Sequence, residues 1–141
     1  MKHIQVFDAP QPDVRPYSES GKNRYRLNED YVFILKLDDG ECVGFEIPSG
    51  SMYDGASVPR FFMWLTGFER DGIHRAAALI HDFMYKKAGR IIDVNGNPFY
   101  YSRFNSDRVF LSAMEHHGIK SWHGRLAYLA VRGVGWIYSR F

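Results

Sequence analysis

The sequence predicts an α+β fold: a small β-hairpin or sheet followed by a core of three main helices, with an extended N-terminal arm over residues 1–27 and a single domain over 28–141. Three observations predict it. Two β-rich runs flank an Asp-Gly turn between residues 31 and 48, and apolar residues recur at helical spacing between residues 73 and 137. A chain of 141 residues, 45% hydrophobic and 16% aromatic, is large enough to close one core.

The elements follow in order. Residues 8–24 carry Pro10, Pro12 and Pro16 among polar residues without periodicity, which reads as an extended arm or irregular loop. Tyr31 to Leu37 and Glu41 to Pro48 are strand-like and are joined by Asp38-Asp39-Gly40, a hairpin signal. Ser49 to Arg60 is a Gly- and Ser-containing loop in which Gly50 and Gly55 permit tight turns that aim backbone groups at an ion. A first long helix is expected from Asp71 or Gly72 to about Ala88, stopped by Gly89, with Ile73, Ala76, Ala77, Ile80 and Met84 as its apolar stripe. Asp93 to Pro98 is a turn, the tip of a small hairpin or an irregular excursion. A second helix is expected from Asn105 or Ser106 to His117, its inward row Asp107, Phe110, Leu111 and Met114. The last is expected from Ser121 to Tyr138, with Leu126, Leu129, Ala130, Gly133 and Ile137 facing inward.

Composition narrows the function classes. The net charge is +2, with the basic excess in residues 103–141, a patch for phosphates or an acidic partner or an ordinary solvated helix face. Cys42 stands alone in a hydrophobic strand, so no intrachain disulfide forms and nothing indicates an oxidising compartment. The N-terminus lacks a signal-peptide core, and no apolar run reaches the ~18 residues of a transmembrane segment. The expectation is a soluble protein made in the cytoplasm. There is no Gly-x-Ser-x-Gly elbow, phosphate loop, dinucleotide fingerprint or specific nucleic-acid motif.

The chemistry-bearing stretch is His81-Asp82-Phe83-Met84-Tyr85. His81 and Tyr85 share a helix face, while Asp82 lies about 100° round from His81 and faces another target. A histidine base needs a carboxylate to fix its tautomer and stabilise its protonated form, and Asp107 is available. Asp54 precedes a turn glycine, where it caps loop amides, shares a proton with His81, or joins His74 in a metal site. His116-His117 point apart on a helix and read as a solvated helix end.

Two resemblances rest on these residues. Asp54-Gly55-Ala56-Ser57-Val58-Pro59-Arg60, His81-Asp82-Phe83-Met84-Tyr85 and Asp107-Arg108-Val109-Phe110, in that order, resemble an uncharacterised domain family of tailed phages and prophages over about residues 28–138. That resemblance implies a phage accessory protein, virion-associated in tail, baseplate or head, whose partners are other phage structural proteins or copies of itself. The His-Asp-x-x-Tyr helix followed by Asp107 also resembles the helix pair of secreted phospholipases A2. By that resemblance His81 is the general base, Asp107 orients it, Tyr85 bonds to Asp107, and Asp82 ligates Ca²⁺ with the loop 49–57, Asp54 included, on a phospholipid or acidic ligand. The chain departs from it in having one cysteine, where those helices are tied by disulfides, and in lacking a matching calcium loop. The plain structural alternative stands beside both: Asp107 as a first-turn acid, His81 as a core-edge histidine, Asp82 paired with Arg75 or Lys86, and Tyr85 as packing.

Overall fold

The computed structural model describes residues 5–19, 22–53, 75–117 and 132. Its centre is a three-stranded antiparallel sheet in the order β1-β4-β5, from β1 (Gln5–Asp8), β4 (Tyr31–Lys36) and β5 (Cys42–Ile47). Alternation decides which side chains enter the core. Tyr31, Phe33 and Leu35 face inward from β4, and Val43, Phe45 and Ile47 from β5. The register sets Phe33 opposite Phe45, their rings stacked with centroids 5.4 Å apart. The same alternation puts Cys42, in that hydrophobic strand, on the outer face with Glu46, where it is exposed. The Asp38-Asp39-Gly40 turn closes the hairpin with Gly40 at φ +87°, a conformation that favours glycine.

The N-terminal segment is not an irregular arm. Beyond β1, β2 (Val14–Glu19) and β3 (Lys22–Leu27) form a hairpin that extends through β6 (Met52–Tyr53) into a second sheet, order β2-β3-β6. Pro16 is tolerated because β2 is an edge strand, where a missing N–H costs little. The turn after Ile92 is the tip of a third, two-stranded sheet of β7 (Arg90–Ile92) and β8 (Pro98–Tyr100). Asp93 organises that tip by accepting hydrogen bonds from the amides of Asn95 (2.9 Å) and Asn97 (2.7 Å).

The expectation of three main helices behind a small hairpin is overturned: among the described residues the protein has two helices and eight strands. The expected third helix, 121–138, lies outside them except at Arg132, as do Ile73 and the loop from Asp54 onward. Helix α1 (Arg75–Lys86) buries a run of Ala76, Ala77, Ala78, Leu79 and Ile80, in which the three small alanines allow another element close approach. Its end matches the glycine stop, with the Gly89 amide donating back to Met84 O at 2.8 Å and Gly89 at φ +76°. Helix α2 (Arg103–His116) starts two or three residues earlier than expected, because Ser102 caps it by accepting a hydrogen bond from the Asn105 amide at 3.1 Å. Asp107 therefore sits in the second turn, fully buried, and is not a first-turn acid on the helix dipole. Helix α2 packs on α1 and on β1, where the Val6 amide donates to Ser112 Oγ at 2.8 Å.

Candidate functional site

Helix α1 brings His81 and Tyr85 to the α1/α2 interface one turn apart, their ring centroids 4.1 Å from each other. Asp107 meets them from α2. His81 Nε2 lies 2.7 Å from Asp107 Oδ1, and the Tyr85 hydroxyl donates to the same oxygen at 2.5 Å. The three residues assigned to catalysis from the sequence are thus joined through one carboxylate oxygen. Both His81 (2% exposed) and Asp107 (0%) are withdrawn from water, and the imidazole lies against the Phe110 ring at 5.1 Å.

A buried carboxylate needs compensation, and a fourth residue provides it. Arg132 Nη1 donates to Asp107 Oδ2 at 3.0 Å, while its guanidinium lies 5.3 Å from the Phe104 ring centre. Sequence reasoning missed Arg132, because its row was not among the apolar positions of the expected last helix. The available signal was indirect: an acid on the inward row of a helix requires a cation from elsewhere.

These contacts set the protonation pattern. Burial, then the hydrogen bond to Asp107 and that carboxylate's charge, push the Tyr85 hydroxyl far above its ordinary range, so it remains a donor. With Asp107 ionised beside Arg132, a carboxylate at His81 Nε2 places the ring proton there. That leaves Nδ1 as the lone-pair nitrogen, and Nδ1 is buried with no hydrogen-bond partner among the described residues.

Of the residues assigned to a metal, the structure describes only Asp82. Asp82 pairs with Lys86 through Oδ2 at 2.9 Å, one of the pairings the structural alternative named, and Asp54 and His74 lie outside the described residues. The described part of the calcium-loop candidate is engaged as well: Ser51 O accepts from Leu27 N, and Met52 O accepts from Lys86 Nζ. Among the described residues no group of three or more His, Cys, Asp and Glu is placed to hold a metal ion. Of the candidate side-chain ligands only Asp82 lies among the described residues, where it is paired with Lys86, and no chemical step is routed through Ca²⁺. Asp82 and Lys86 instead border a cleft of about 220 Å³ walled by Ile47, Met52, Leu79 and Phe83.

His117 is not a solvated helix end. Its Nε2 bonds to Ala9 O and its Nδ1 lies 3.4 Å from Gln11 Nε2, so it ties the residues after β1 to the end of α2. No helix among the described residues is long and apolar enough to cross a membrane.

No solved structure matches the chain. It is 28% identical over 131 residues to the Uncharacterized protein y4jT of Sinorhizobium fredii (strain NBRC 101917 / NGR234), a match that covers 93% of this chain and 32% of that protein. The chain thus spans about a third of the length of this relative. The family model described as Protein of unknown function (DUF1353) matches residues 25–131, which takes in β4, β5, both helices and the His81–Asp107 contact, and the chain belongs to that family.

Proposed function

We propose that this domain is a phage- or prophage-encoded accessory protein in which His81 and Asp107 form a hydrolytic centre acting on an ester. The observation that carries the hydrolytic part is the asymmetry of the His81 ring: Nε2 is held by Asp107, and Nδ1 is left without a partner among the described residues. The phage setting rests on the resemblance of the three ordered motifs.

In this reading Nδ1 takes a proton from water as the water oxygen attacks the ester carbonyl. The imidazolium so formed is stabilised by Asp107, which stays ionised because Arg132 holds its other oxygen. The proton then passes to the leaving alkoxide. Tyr85 holds Asp107 in place and has no direct part in the transfer. Because His81 is 2% exposed, substrate and water reach Nδ1 only when the atoms over the ring move aside.

The test is hydrolysis of a panel of chromogenic esters and of phospholipid vesicles, with and without Ca²⁺, by wild type, His81→Gln and Asp107→Asn. The expected result is a loss of about 100-fold or more in both variants, each shown folded by circular dichroism. A folded wild type inert toward every substrate sinks the proposal.

A second reading is a polar scaffold in a virion component, favoured by the completeness of Asp107's bonding. Its Oδ1 receives two partners and Oδ2 one, which is what a purely structural carboxylate also requires. This reading expects the polypeptide in purified particles by mass spectrometry, and a stability loss without any activity to lose. Its absence from particles removes the virion role.

A further inference from the structure

The outer face of the central sheet gathers apolar side chains into one row. Alternation sends Val32, Ile34 and Lys36 outward from β4, and Cys42, Gly44 and Glu46 outward from β5. The register sets Ile34 opposite Gly44, and β1 adds Phe7 beside Ile34, where its pairing with β4 shifts by one residue. On the far side the Val94 amide donates to Gly44 O, and the Val94 side chain lies over Gly44, where an added Cβ would meet its Cγ2 at 3.5 Å. The bridge between Phe45 and Asp93 brings Ile92 to the same face, next to Glu46. Phe7 (57% exposed), Val32 (44%), Val94 (54%) and Ile92 (64%) are four of the six large exposed apolar side chains among the described residues, and their concentration on one face marks a contact surface.

The charges on this face select what fits it. Lys36 stands opposite Cys42 at one end of the strand pair, and Glu46 stands opposite Val32 at the other. Four residue steps separate them, about 13 Å, too far to pair within one sheet. A face that is basic at one end, acidic at the other and apolar between is complementary to its own copy turned about a two-fold axis that crosses the strands. That rotation lays the row of Phe7, Ile34, Gly44 and Val94 on the same row of the second copy. It also brings each Lys36 within one strand spacing of the other copy's Glu46. Asp8, exposed at the end of the row, falls on the solvated rim.

We propose that the outer face of the central sheet is a dimer interface between two copies of this chain. Its four strand widths and six residues of length span about 20 Å by 20 Å, near the lower end of specific interfaces, so the dimer is weak and depends on concentration. The inference is independent of the His81 centre, which lies between the two helices.

Sedimentation velocity of the whole chain from about 1 µM to about 0.5 mM tests it. Wild type is expected to pass from monomer to dimer and to stop there, because a two-fold contact closes on itself. Lys36→Glu and Glu46→Lys should each weaken dimerisation at least tenfold, and combining them should restore most of it, which only pairing between copies explains. Val94→Asp should weaken it by a similar factor, and Lys87→Glu, the same change of charge just beyond α1, should leave it unchanged. All four positions are exposed, so the variants are expected to fold, which circular dichroism checks. A folded wild type that stays monomeric throughout, its face free or covered by another part of the chain, overturns the proposal. So does a dimer that Lys36→Glu leaves intact or that the double variant fails to restore.

Discussion

Oδ1 of Asp107 lies 2.7 Å from Nε2 of His81, so a carboxylate on one helix fixes the ring of the other in an interface from which water is excluded. The contact serves chemistry and architecture together, and the predictions separate the two.

The first concerns the charge pair behind this contact. Arg132→Met leaves a fully buried Asp107 without its cation and should cost about 3 kcal/mol or more in chemical denaturation, the scale on which breaking a buried pair falls. Asp107→Asn leaves the half-buried Arg132, which water partly solvates, and should cost less, about 1–3 kcal/mol. The double variant should be more stable than the sum of the two losses implies; strict additivity would show that the residues are not coupled.

The second concerns Tyr101, whose side chain is fully buried against Phe45 and Phe99 and whose hydroxyl has no partner among the described residues. An unpaired buried hydroxyl carries a desolvation cost, so Tyr101→Phe should stabilise the protein by about 1 kcal/mol in urea titrations. Destabilisation by that amount would mean that the hydroxyl is satisfied.

The third is alkaline lability. Burial raises the Tyr101 hydroxyl from 10.0 to about 12, and burial with the Asp107 contact raises Tyr85 further. The folded state keeps both protons after the unfolded chain releases its own, so this contribution is complete below pH 10 and is lost as pH climbs past it. Unfolding midpoints should fall between pH 10 and 12, and more gently in Tyr101→Phe. A pH slope identical in that variant would refute the assignment.

The fourth tests the turn of the third sheet. Asp93→Ala removes the acceptor for the Asn95 and Asn97 amides and should cost about 2 kcal/mol. Hydrogen exchange should then speed up at the Val94 amide, which donates to Gly44 O and joins this hairpin to β5. Unchanged protection there would place the anchor elsewhere.

By itself the sequence determined what local rules govern. Alternation and the Asp-Gly turn specified the β4–β5 hairpin, and Gly89 marked the end of α1. The i, i+4 spacing put His81 and Tyr85 on one face, and the need of a histidine for a carboxylate pointed to Asp107. Tertiary structure decided what depends on partners distant in the chain. Gln5–Asp8 carries no strand periodicity and becomes β1 because β4 offers an edge, and Pro16 is accepted because its own strand lies at an edge. Arg132, 25 positions from Asp107, is read into the site only once the two meet. Local patterns act through backbone geometry that each residue carries with it, whereas strand pairing and the neutralisation of a buried charge belong to whichever group the fold brings near.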